Sequence, residues 1–151
     1  MKSSKKLVLV RLTALLLVVC MVAPCYASAA VIEPVMPVDS DYFDSGNAFI
    51  SAMGGGRIEI WFSITADNVM DEIGALSIRL YESADGQNWT RVSTFLHENR
   101  PGMLVGGEYA YSSCVSYYGI PGRQYKAHLS LWAGRNGNGE VLYTWTQPER
   151  A

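Results

Sequence analysis

The chain has 151 residues, with 12 Lys and Arg against 14 Asp and Glu and 49% hydrophobic residues. That length suits one domain around a single core. A faintly acidic balance with no internal basic run excludes a nucleic-acid binder, since phosphate neutralisation supplies most of that affinity, and 3 cysteines exclude a disulfide-dense framework.

Residues 1–30 read as a secretory signal peptide. Lys2, Lys5, Lys6 and Arg11 form a basic start, Leu12 to Ala23 an apolar run, and Ala27-Ser28-Ala29-Ala30 a cleavage site of the Ala-x-Ala kind. The apolar run falls well short of the roughly 20 residues that cross a bilayer as a helix, so the membrane is met only transiently, through the signal. The alternative is a lipoprotein acylated at Cys20 or Cys25, but Val19 and Pro24 precede them where a small residue is expected. No later apolar run reaches spanning length and no Leu-Pro-x-Thr-Gly motif stands near Ala151. The expected product is secreted, extracellular or loosely held at the cell surface. Cleavage leaves 121 residues with 8 basic and 14 acidic side chains, a net charge of −6. Cys114 is then the only thiol and no intrachain disulfide can form, which suits a bacterial export product resting on its apolar core. It lies in an alternating stretch and is expected as a small buried residue, a reactive or pairing thiol being the alternative.

Residues 31–46 carry Pro34, Pro37, Asp39, Asp41 and Asp44 without apolar periodicity. They are expected to form an acidic leader that contributes at most an edge strand. The spacing Asp39-x-Asp41-x-x-Asp44-x-Gly46 resembles a calcium loop, but its third acid comes one position late and Ile50 occupies the place of the bidentate Glu. A solvated acidic linker is the expectation, with no metal or other cofactor.

Residues 47–151 alternate in short segments parted by turn residues, the pattern of an all-β antiparallel sandwich of about seven strands. Strands are predicted near 47–53, 57–66, 75–82, 88–97, 108–118, 123–133 and 139–146. In the second, Ile58, Ile60, Phe62, Ile64 and Ala66 alternate with Arg57, Glu59, Trp61, Ser63 and Thr65, so one face is core and Trp61 points away from it. A three-residue hairpin loop at 84–86, with Gly86 left-handed, pairs Ile78 with Val92, Leu80 with Thr90 and, on the outer side, Tyr81 with Trp89 beside Arg79 and Arg91. In the sixth strand Tyr125, Ala127, Leu129, Leu131 and Ala133 alternate with Lys126, His128, Ser130 and Trp132, which sends Trp132 outward.

The stretch from Gly119 to Ala127 resembles the loop and tyrosine corner that open the sixth strand of fibronectin type III-like and immunoglobulin-like sandwiches. That likeness makes Tyr125 a structural anchor whose hydroxyl bonds the preceding loop. Those folds place an apolar residue two before the Pro, where this chain has Gly119. A wider likeness rests on Ile73-Gly74-Ala75, the hairpin from Tyr81 to Trp89, Tyr117-Tyr118-Gly119, Gly122 to Ala127 and Trp132-Ala133-Gly134. With these the chain resembles uncharacterised small secreted single-domain β-sandwich proteins of Gram-positive bacteria, a likeness that implies fold and location and no catalytic residue. The segment from Ser83 to Trp89 also resembles the Asp-box hairpin of sialidase-like propellers, less one residue between Asp and Gly; that box is a structural turn. Asn88-Trp89-Thr90 fits a glycosylation sequon, which a bacterial product leaves unused.

Catalysis has little to work with. Only His97 and His128 could act as bases near neutral pH, no Gly-x-Ser-x-Gly, His-Glu-x-x-His or Cys-x-x-Cys is present, and two histidines do not make a His-rich zinc site. The expectation is a non-enzyme. Two roles compete: a surface or extracellular module that contacts another protein, through a sheet face or an open edge, and a module that binds cell-wall or mucus glycan on an aromatic platform. For either, the outward face bearing Tyr81, Trp89, Trp132, His128, Arg79 and Arg91 is the candidate site. The bland reading is that these aromatics only stabilise the sheet through cross-strand pairs.

Overall fold

A computed structural model describes residues 40–151. Residues 1–30, read as a signal peptide, with Cys20 and Cys25, and residues 31–39 of the expected leader, with Asp39, lie outside the described residues. Among the described residues nine strands form: β1 (Phe43–Gly54), β2 (Arg57–Met70), β3 (Glu72–Ser83), β4 (Thr90–Leu96), β5 (Leu104–Val105), β6 (Glu108–Tyr118), β7 (Gln124–Arg135), β8 (Asn138–Trp145) and β9 (Glu149–Arg150). Two single-turn 3-10 helices, His97–Asn99 and Pro101–Met103, lie between β4 and β5.

Sheet A has the order β1-β2-β6, and sheet B the order β4-β3-β7-β8 with β5 added to β3 and β9 to β7. All pairings are antiparallel. The seven long strands thus make the three-plus-four sandwich of the fibronectin type III-like order, as the sequence predicts. β1 is an edge strand that starts at Phe43, inside the segment read as leader, and Asp44 stands exposed at its bulge.

The period-2 pattern explains which faces meet. Ile58, Ile60, Phe62, Ile64 and Ala66 of β2 are buried, as are Tyr125, Ala127, Leu129, Leu131 and Ala133 of β7. They pack with Ile50, Val115, Ile78, Leu80 and Phe95 between the sheets. Burying such a side chain stabilises by about 1.5–3 kcal/mol, and no disulfide staples the domain among the described residues. In β3 a bulge at Leu76 shifts the phase, so that Ile73 and Ala75 before it and Ile78 and Leu80 after it all face inward.

The tyrosine corner is present. The Tyr125 hydroxyl accepts the Ile120 amide at 2.7 Å and donates to Glu82 Oε2 at 2.5 Å. Glu82 also takes Arg123 Nη1 at 3.0 Å.

Two expectations are corrected. The β3–β4 connection spans residues 84–89, not 84–86, and Ile78 faces Phe95 while Leu80 faces Ser93. Gly86 is left-handed, with φ of 75°, but Asp85 dictates a longer loop. Its carboxylate accepts the amides of Gln87 at 2.9 Å and Asn88 at 2.8 Å, the Asn88 side-chain amide at 2.7 Å and the Ser83 hydroxyl at 2.9 Å. Val92 becomes the unpaired residue of a bulge, 36% exposed, while Phe95 is buried in its stead. Cys114 is not a core residue either: it pairs with Trp61, whose ring stacks on Phe49 at 6.3 Å on the outer side of sheet A. The thiol is half-buried there.

Candidate functional site

The outer face of sheet B is set by parity. With Ile78, Leu80, Ala127 and Leu129 inward, the alternate residues project outward in rows across the sheet. One row holds Thr94, Arg79, His128 and Trp145. On one side of it lie Arg91, Tyr81 and Lys126, and on the other Leu96, Ser77, Ser130 and Tyr143.

β8 supplies what the sequence reading missed. Its inward residues are Leu142, half-buried against the core opposite Leu131, then Thr144 and, just beyond the strand, Thr146, both buried. Thr146 Oγ1 accepts the Ala127 amide at 2.9 Å and the Thr146 amide bonds the Ala127 carbonyl at 2.9 Å. That lock sends Tyr143 and Trp145 outward, 63% and 51% exposed. The cue is alternation of aromatics with threonine, a residue that tolerates burial when its hydroxyl is bonded.

The rings form one connected cluster. Trp145 lies 5.4 Å from Tyr81 and 4.7 Å from His128, centroid to centroid, tilted by 44° and 51°. His128 stacks on Tyr143 at 5.8 Å and 8°. The Lys126 ammonium sits between two indoles, 4.3 Å from Trp89 and 5.1 Å from Trp145. Burial among these rings, with the nearby Arg79 charge, holds the His128 imidazolium pKa below its ordinary value.

Of the six expected site residues, Tyr81, His128, Arg79 and Arg91 are neighbours in register. Trp89 does not face Tyr81: it lies in the 84–89 loop and joins the cluster through Lys126. None of the three proposed platform aromatics belongs to the buried core.

Trp132 stands apart, beyond Ser130, where its ring lies over Gly134 and Gly139 and leaves no room for a Cβ at either. It borders a hollow of about 450 Å³ with Asp71, Glu72, Arg135 and Asn138. Its Nε1 is buried with no acceptor among the described residues. The expected three-ring platform is therefore replaced by Tyr81, Trp89, Tyr143 and Trp145 around Lys126 and His128.

Other chemistry finds no centre on the described residues. His97 begins a 3-10 turn and His128 is on the sheet face, and neither imidazole is hydrogen-bonded to a Ser, Cys or carboxylate there. No cluster of three or more His, Cys, Asp or Glu side chains is arranged for a metal, and no helix is long and apolar enough to cross a membrane. Scanned against protein-family models and against curated proteins, the chain matches none.

Proposed function

We propose that the chain is a secreted, non-catalytic bacterial β-sandwich, of the small Gram-positive kind it resembles, that contacts another extracellular protein through the outer face of sheet B. The observation that carries this reading is the cluster centred on Trp145. Trp, Tyr and Arg are the residue types that dominate binding energy at protein interfaces. Here they are exposed yet packed against one another, so little side-chain freedom is left to lose on association. Export is supported by the signal-like order of residues 1–30.

The tilts of 44° and 51° between Trp145 and its neighbours leave no flat floor for a run of sugar rings. A glycan-binding role keeps one feature in its favour: the near-parallel His128–Tyr143 pair, with Tyr143 on its open side.

The test is a photo-crosslinking residue at 143, with a control at 112 on the outer side of sheet A, in cultures of an expressing bacterium. Adducts specific to position 143 that are destroyed by trypsin are the expected result. Adducts equal at both positions, or retention of the chain on insoluble wall glycan or mucin that Trp145→Ala abolishes, would overturn it.

A further inference from the structure

The chain is acidic, yet its most aromatic face is basic. Arg79, Arg91 and Lys126 project from the rows that hold Tyr81 and Trp145, and neither these rows nor that of Tyr143 contain a carboxylate. The next row toward the hairpin loop adds Gln124 and Arg150, the latter with Nη1 on the Gly122 carbonyl. Of the carboxylates at that end, Glu82 is engaged with Tyr125 and Arg123 and Asp85 with the amides of its own loop, while Glu149 is exposed next to Arg150 on β9. Two arginines off this face are held in ion pairs, Arg57 with Glu59 and Arg123 with Glu82. Arg79 and Arg91 have no ion pair among the described residues.

Unpaired guanidinium groups beside exposed aromatics fit carboxylate, which Arg grips with two parallel hydrogen bonds. The spacing narrows the carrier. Arg79 and Tyr81 on β3, and Lys126 and His128 on β7, are two residues apart, about 6.6–6.8 Å along a strand. An extended polypeptide repeats its same-side residues at that interval. The tilted rings suit side chains reaching between them better than a flat chain of sugars.

We infer that the outer face of sheet B takes an acidic polypeptide segment, its Asp or Glu carboxylates on Arg79, Arg91 and Lys126 and its apolar side chains against Trp145 and Tyr81. This rests on the protein-interaction reading above and adds the chemistry of the partner. Opposite charge across the face speeds encounter and fixes register, while the aromatic centre retains the segment.

The probe is poly-L-glutamate, titrated into the purified nitrogen-15-labelled chain at neutral pH, with polygalacturonate as the anionic glycan counterpart. Backbone shifts confined to β3, β4, β7 and β8 are expected, weakening at least tenfold between 50 and 500 mM NaCl as the charges are screened. Arg79→Gln with Arg91→Gln is expected to weaken binding at least tenfold and Arg57→Gln to leave it unchanged, with the spectra themselves reporting that each variant is folded. Shifts spread over both sheets, or no shifts at all, overturn the acidic partner. Polygalacturonate binding this face where poly-L-glutamate does not makes the ligand an anionic glycan and overturns it too. If either occurs while position 143 still crosslinks protein, the acidic chemistry fails and the interaction face stands.

Discussion

Gly119 lies directly against the hydroxyl of Tyr125, so close that a Cβ at 119 would overlap the oxygen and the ring. The position two before Pro121 is glycine because the fully buried ring takes that space. Gly119→Ala is expected to destabilise by about 1–3 kcal/mol, as overpacking does in close-packed interiors. Tyr125→Phe is expected to cost about 1–3 kcal/mol, because it strips the Ile120 amide and the Glu82 carboxylate of a partner. Tyr81→Phe, on the outer face, is expected to cost far less. Urea denaturation of the three variants checks the corner, and equal losses at 125 and 81 would falsify it.

The same buried hydroxyl ties stability to alkaline pH. Burial, then the bond to Glu82, pushes the Tyr125 pKa up from 10.0 to about 12. The unfolded chain loses this proton near pH 10 while the folded chain holds it, so the stabilisation is present below pH 10 and is lost as pH rises towards 12. Denaturation midpoints are expected to fall across that window, and to fall less steeply in Tyr125→Phe.

Strand alternation made much of the sandwich legible. Ile58 to Ala66 and Tyr125 to Ala133 are uninterrupted period-2 runs, and burial of one face is the strongest signal a strand carries. The hairpin was not legible, because its loop is set by side-chain bonds to Asp85 rather than by the turn type that Gly86 suggests. The outer face was half legible. Parity placed Tyr81, His128 and Arg79, but β8 buries Thr144 and Thr146 and exposes Tyr143 and Trp145, the reverse of what hydrophobicity implies. The Thr146 bonds to Ala127, with Leu142 on the same side against the core, explain that choice.

The corrected register is itself testable. Phe95, 7% exposed, faces Ile78, whereas Val92 bulges outward at 36%. Phe95→Ala is expected to cost about 3–5 kcal/mol and Val92→Ala no more than about 0.5 kcal/mol. Thermal or urea melts that reverse this order would restore the Ile78–Val92 pairing.

His128 predicts an acid limb. Burial among the rings, and then Arg79, depress its pKa. The groups around it are Arg79 and Tyr81 on β3, Lys126 on its own strand, and Tyr143 and Trp145 on β8; the rings take water from the imidazole, the two nearby charges are both positive, and no carboxylate stands among these groups. Its contribution is therefore present above the unfolded imidazole value near 6.5 and is lost as pH falls below it. His128→Gln is expected to flatten the loss of stability between pH 7 and pH 5, read from melting temperature across that range.

Trp145 joins β8 to the rest of the outer face, touching Tyr81 across β7 and covering His128 and the Lys126 ammonium. Tyr143, by contrast, meets only His128 among the aromatic pairs and is the more exposed of the two. Aromatic pairs contribute about 0.5–1.5 kcal/mol beyond area burial, so Trp145→Ala is expected to cost about 1 kcal/mol and Tyr143→Ala about 0.5 kcal/mol or less. A double-mutant cycle of Trp145→Ala and Tyr81→Ala should give a coupling near 1 kcal/mol, since the two rings are in contact. Coupling near zero would mean that Trp145 swings free of the sheet, and the face would then lack the pre-ordering that its binding role requires.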